Sequence, residues 1–126
     1  MEPPEERELM EKCSEYFKTL GFDVMTDKEV VPGKSQYGKT DIIAFKDQTI
    51  YAIECKYINR TNATKKRKKV KDQALIYASI LKWKKPHKIV KAYVFTNEGL
   101  QFLQIMTKVE AKRRALEYFV HVGLRF

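Results

Sequence analysis

Two short segments in the first half of the chain leave little freedom in how it can fold. Thr40-Asp41-Ile42-Ile43-Ala44-Phe45 and Ile50-Tyr51-Ala52-Ile53-Glu54-Cys55-Lys56 are rich in β-branched and aromatic residues and are separated by the turn residues Asp47-Gln48. That pattern predicts a two-stranded hairpin. Closed at that turn, the hairpin sets Asp41 directly across from Glu54. Like charges opposite one another destabilise a sheet, so a carboxylate pair at this position calls for a cation between them. Oxygen ligands favour Mg²⁺ or Mn²⁺. Side chains alternate along a strand, so Glu54 and Lys56 share a face, with Ile53, Cys55 and Tyr57 on the other.

The remaining elements follow from periodicity. Leu9, Met10, Cys13, Tyr16, Phe17 and Leu20 recur at helical spacing between about Glu5 and Leu20, and Gly21 follows as a stop. Phe22 to Met25 reads as a first strand, and the segment from Val31 to Lys39, with two glycines, as a polar loop leading to Asp41. Asn59 to Thr64 carries loop and N-cap residues before a helix expected from about Lys65 to Lys82, ended by Pro86. Its inward stripe is Val70, Gln73, Ala74, Tyr77, Ala78 and Leu81, which puts a glutamine among apolar residues, and a buried amide needs partners. Lys88 to Thr96 reads as an interior strand joined through a crossover. Asn97 is then a candidate cap for a last helix from about Glu98 to Leu116, and Tyr118 to Val122 a candidate edge strand or self-association surface. The expected fold is α/β, a mixed sheet flanked by helices in the order α-β-β-β-α-β-α-β.

At 126 residues and 44% hydrophobic content the chain suits one domain spanning residues 1–126, with a real core. No apolar run approaches the ~20 residues needed to cross a bilayer, and the acidic start Met1-Glu2-Pro3-Pro4-Glu5-Glu6 is unlike a signal peptide. The expectation is a soluble, intracellular protein without membrane contact, in host cytoplasm if the chain is viral. Two cysteines, Cys13 and Cys55, make neither a disulfide framework nor a four-ligand zinc site. His87 and His121 each lack a spaced partner for metal binding.

With 25 Lys and Arg against 16 Asp and Glu, the formal charge is +9. The excess gathers in Lys65-Lys66-Arg67-Lys68-Lys69 and again between Lys82 and Lys88. Cations in the first turn of a helix oppose its dipole, so Lys65 to Lys69 do not help this helix fold. Such a stretch attracts phosphate by counterion release. These five residues, with Lys34 and Lys39 of the loop before Asp41, are the candidate nucleic-acid-binding set.

An acid opening one strand, Glu-x-Lys closing the next and a following helix with an inward Gln resemble the PD-(D/E)xK nuclease superfamily over about residues 5 to 96. Thr40 stands where that motif often has proline, a residue that shapes the backbone and does no chemistry. Gln73-Ala74-Leu75-Ile76-Tyr77 resembles the Gln-x-x-x-Tyr motif of RecB-like nucleases. Glu6-Arg7-Glu8-Leu9 in the first helix and Ala52-Ile53-Glu54-Cys55-Lys56 resemble archaeal Holliday-junction resolvases and their viral relatives. The resemblance implies a restriction-endonuclease-like core and a helix-one glutamate, Glu6 here, joining the acidic site. It also implies a backbone carbonyl, that of Cys55, as a third metal ligand, and matches Ser35 to a loop serine.

The chemistry expected of these residues is phosphodiester hydrolysis. Asp41 and Glu54 are the candidate ligands of Mg²⁺, with Mn²⁺ able to substitute. Lys56 is the group to orient or deprotonate water or to stabilise developing negative charge, and Gln73 is the group to position water or Lys56. The catalytic candidates are thus Asp41, Glu54, Lys56, Gln73 and Glu6. Taken singly, a strand-start aspartate and an end-of-strand ion pair are common surface features; convergence of all three on one face is what they leave unexplained. The expectation is a metal-dependent DNA endonuclease selective for DNA structure, of the kind used in recombination or repair and acting as a homodimer. The alternatives are a RecB-like or single-strand nuclease, and a non-catalytic nucleic-acid-binding module.

Overall fold

The computed structural model describes residues 4–29, 39–121 and 123, and among them the chain forms three helices and five strands. The first helix, α1, covers Pro4–Thr19. Its residues Met10, Cys13 and Phe17 are buried against the sheet, whereas Tyr16 and Leu20 of the same apolar set stay exposed. It ends where Gly21 takes φ of 86°. The Gly21 N–H then donates to the Lys18 carbonyl at 3.0 Å and the Phe22 N–H to the Phe17 carbonyl at 3.0 Å. This paired closure needs a left-handed residue, and the rings of Phe17 and Phe22 meet edge-on at 5.4 Å above it.

Strands β1 (Asp23–Glu29), β2 (Lys39–Lys46) and β3 (Thr49–Lys56) form an antiparallel meander. Asp47 turns the β2–β3 hairpin with φ of 57°, a conformation aspartate tolerates. The register is the expected one: Ile42 pairs with Ile53, Ile43 with Ala52 and Phe45 with Ile50. Helix α2 (Ala63–Lys84) then crosses over to β4 (Ile89–Thr96), which runs parallel to β3 and ends with Lys56 opposite Thr96. Its N-cap residue, Asn62, has φ of 56° and gives no side-chain cap, so the basic first turn gains nothing from local capping.

The chain departs from the expected order after β4. Gly99–Ile105 is not the start of a helix but a fifth strand, β5, antiparallel to β4 and at the sheet edge. Leu103 and Met106 share the face toward α2 and α3 although three residues apart, because a bulge opposite Ala92 and Tyr93 makes Leu103 an extra residue, whereas Leu100 pairs with Phe95 on the other face; a bulge breaks the period of two. Asn97 therefore lies in a hairpin turn and caps no helix. The last helix, α3, is Lys108–His121. It begins at Thr107, whose Oγ1 accepts the Glu110 N–H at 3.2 Å, the first half of a capping box written Thr-x-x-Glu. Tyr118 to His121 are helical, so the expected final strand does not form there, and Val122 lies outside the described residues. The observed order is α-β-β-β-α-β-β-α.

The sheet, in order β1-β2-β3-β4-β5, has a layer on each side. Alternation sends Ile42, Ala44, Ile53 and Cys55 toward α1. It sends Ile43, Ile50, Ala52, Val90 and Ala92 toward α2 and α3, where Tyr77, Ala78, Ile80, Leu81, Ala115 and Phe119 meet them. Ser79 and Ile80, outside the expected stripe of α2, are fully buried because α3 covers a second side of that helix. Trp83 anchors this layer against Phe119, their ring centroids 5.4 Å apart.

Candidate active site

The β2–β3 ladder stops at Ile42 and Ile53, one residue short of the two acids. Beyond that point side chains take over from backbone. The Cys55 N–H donates to Asp41 Oδ2 at 2.8 Å, and the Asp41 N–H donates to Glu54 Oε1 at 3.3 Å. Each carboxylate thus accepts a backbone N–H from the other's strand, a charge-assisted arrangement stronger than a neutral ladder bond. Glu54 is 5% exposed although it is an acid, while Asp41 is half-buried. The hairpin splays where the like charges fall.

Asp41 and Glu54 lie on the α2 side of the sheet, as the pattern of Ile43, Ala52 and Cys55 around them requires. Lys56 follows two residues after Glu54 on that side, at the carboxyl end of the parallel β3–β4 pair. Its Nζ lies 3.0 Å from Glu6 Oε1. Glu6 sits on the first turn of α1 and is almost fully buried; its Oε1 also accepts the Tyr57 N–H at 3.4 Å. The helix-one glutamate therefore meets the lysine at the end of β3. It meets the ammonium of that lysine and the backbone that follows it.

Gln73 is half-buried and not a core amide. It lines a groove of about 230 Å³ with Lys56, Lys66, Lys69 and Val70. Tyr77, one turn further along α2, belongs to the core. Burial pushes its phenol well above the ordinary range, with Tyr118 adding to the effect and then Glu54 and Asp41, so it stays neutral beside the acids. Cys55 is held neutral as well, first by the Cys13 thiol hydrogen-bonded to it and then by burial.

The basic run divides into separate duties. Lys66 and Lys69 face the groove, and Lys66 Nζ also donates to Asn59 Oδ1 at 2.8 Å. Arg67 grips Glu98 with both arms of its guanidinium, at 2.8 and 2.6 Å. Lys68 pairs with Asp72 at 2.9 Å on the solvent side of the helix, and Lys65 is exposed. Lys34 and Ser35 lie outside the described residues, and Lys39 is described only by its backbone, paired with Glu29.

Sequence reasoning missed the role of the Asn97–Glu98 turn. Asn97 Oδ1 accepts the Ile58 N–H at 2.7 Å and its Nδ2 donates to the Ile58 carbonyl at 2.9 Å. The available cue was Thr96-Asn97-Glu98-Gly99 between apolar runs, a hairpin composition.

Two carboxylates with hard oxygen donors fit Mg²⁺, which keeps several of its waters and needs few protein ligands. Among the described residues, no three His, Cys, Asp or Glu side chains gather as a metal-binding group; a cation here would complete its shell with backbone oxygen, water or phosphate. Also among the described residues, no helix is long and apolar enough to cross a membrane. Comparison of the chain with protein-family models gave no match, and a search of the curated proteins gave none either.

Proposed function

We propose that this protein is a Mg²⁺-dependent DNA endonuclease with a restriction-endonuclease-like, PD-(D/E)xK core, acting on DNA structure in the manner of a junction resolvase. One observation carries the reading: Asp41 and Glu54 face each other at the splayed end of the hairpin, with Lys56 on the same side of the sheet. A surface ion pair or a turn aspartate does not account for a nearly buried glutamate opposite an aspartate. Asp41 and Glu54 would hold the cation, and the bound ion would supply water activation and charge neutralisation at the phosphate.

The chain's own residues do the rest. Lys56 presents an ammonium on the groove wall, on the same side of the sheet as the acids, suited to orienting water or to stabilising charge that develops on the phosphoryl oxygens. Glu6 holds that ammonium from the far side of the strand end, limiting the directions it can take. Gln73, on the groove wall, has both a donor and an acceptor to offer water or phosphate. Lys66 and Lys69 bring positive charge to the same groove, where a phosphodiester backbone would lie.

A RecB-like nuclease is the second reading. It is favoured by Gln73 in the groove and Tyr77 one turn on, beside the acids, which is the arrangement a Gln-x-x-x-Tyr motif needs. The deciding experiment is cleavage of end-labelled four-way junction, linear duplex, single-strand and closed-circular DNA with Mg²⁺ or Mn²⁺, each alongside Glu54→Ala and Lys56→Ala. Paired symmetric nicks confined to the junction, lost in both variants while DNA binding persists, are expected. Cutting that requires a free end favours the RecB-like reading. Absence of metal-dependent cleavage on every substrate refutes both and leaves a nucleic-acid-binding module.

A further inference from the structure

The lysine of the site stands at the last residue of its strand, so something beyond the sheet must fix where that strand end goes. On the β2 side the ladder has already ended at Ile53, and on the β4 side it ends with Lys56 opposite Thr96. The next residues, Tyr57 and Ile58, have no strand assignment. Ile58 is nevertheless buried, at 6% exposure, and a buried backbone must find partners for its N–H and C=O. Both partners come from one side chain. The Asn97 amide accepts from the Ile58 N–H at 2.7 Å and donates to the Ile58 carbonyl at 2.9 Å. Asn97 follows Thr96, the last residue of the ladder, so its amide extends the β3–β4 pairing by two bonds after backbone pairing has stopped. Among the described residues this stretch has a second, longer tie, 3.4 Å, from the Tyr57 N–H to Glu6.

The same turn reaches the opposite wall of the groove. Glu98 receives both arms of Arg67, on the turn of α2 that carries Lys66 and Lys69. Two adjacent residues of one hairpin turn therefore hold the strand end that presents Lys56 and the helix start that faces it.

We infer that Asn97 is a positioning residue for Lys56: its side-chain amide locks Ile58 and so fixes the end of β3 from which the lysine enters the groove. This rests on the nuclease reading of the site. Asn97 itself lies on an exposed turn, where a merely surface role would make it replaceable. Displacement of a reacting group by ~1 Å costs on the order of a hundredfold in rate, so the expected effect falls on turnover and not on DNA affinity.

The test is Asn97→Ala in the full chain, measured by single-turnover cleavage of the preferred DNA substrate, by DNA affinity, and by hydrogen exchange at the Ile58 amide. The expected result is a fall in the cleavage rate of about tenfold or more, with affinity within about twofold and Ile58 protection lost while β3 keeps its own. Asn97→Asp, which keeps the acceptor for the Ile58 N–H, should recover part of the protection and the rate; it also serves if the alanine variant fails to fold. Cleavage within about twofold of the unaltered protein despite lost Ile58 protection overturns the inference alone. So does an equal fall in affinity and rate, which signals general loosening of the groove. No cleavage by the unaltered protein overturns the nuclease reading and this inference with it.

Discussion

Replacing Asp41 with asparagine separates the two duties of that side chain. Its Oδ2 accepts the Cys55 N–H at 2.8 Å, and an asparagine Oδ1 can take over that bond without leaving a donor orphaned. The change removes one of two facing negative charges and, with it, the charge assistance in the Cys55 bond. Two like unit charges about 5 Å apart repel by about 3 kcal/mol at an effective dielectric of about 20. Asp41 is partly exposed, and solvent screening reduces the repulsion to about 1 kcal/mol. A neutral acceptor gives up a similar amount, about 1 kcal/mol, in the bond to the Cys55 N–H. Without divalent metal, Asp41→Asn should therefore melt within about 3 °C of the unaltered protein. Asp41→Ala should melt lower, since an orphaned backbone N–H costs about 1–3 kcal/mol. Metal separates Asp41→Asn from its parent. At about 10 mM Mg²⁺ and a Kd of about 1 mM the unaltered protein gains about 1.4 kcal/mol, and Asp41→Asn should gain almost nothing. Thermal melts of the three proteins in EDTA and in Mg²⁺ give all the quantities needed. An asparagine variant as unstable in EDTA as Asp41→Ala, or equally stabilised by Mg²⁺, would refute the view that the repulsion between these acids is relieved by a cation.

Two further outcomes follow from the groove and the helix end. Joint replacement of Lys66 and Lys69 by alanine should weaken DNA binding and flatten its dependence on log salt by about 2, whereas Lys68→Ala, facing solvent with Asp72, should leave the slope within experimental error; equal slopes for the two variants would remove the groove from the DNA path. Gly21→Ala should destabilise by about 1–2 kcal/mol, through conformation alone, since φ is 86° and an added Cβ would meet only Lys46 Nζ at 3.5 Å; a melting temperature unchanged in denaturation would show that α1 does not depend on its left-handed stop.

Short-range pattern made the acidic end of the hairpin legible. Strand alternation and a two-residue turn put Asp41 across from Glu54 and Lys56 on their side, and the observed register of Ile42 with Ile53 is the one those residues demand. Helical spacing located α1 and α2 and, with Pro86 and Gly21, most of their limits. These features depend on local geometry, so a linear reading reaches them. The β5–α3 boundary was harder, because the bulge at Leu103 turned a strand's period of two into a spacing of three that imitates a helix; the Thr107–Glu110 cap was the better guide.

What the chain could not say in one dimension is which distant residues meet. Glu5, Glu6 and Glu8 look alike at the start of a helix, and only the packing of Met10, Cys13 and Phe17 on the sheet rotates Glu6 onto Lys56. Lys65 to Lys69 read as one patch, yet the helical turn and the neighbouring β4–β5 hairpin assign Arg67 to Glu98 and Lys68 to Asp72, leaving Lys66 and Lys69 for the groove. Asn97 reads as a cap and becomes a clamp because the parallel β3–β4 pair ends beside it. Local sequence determined the hairpin strands β2 and β3 and the acids they carry; tertiary packing decided their company, since contacts between residues far apart in the chain depend on how whole faces bury their apolar surface.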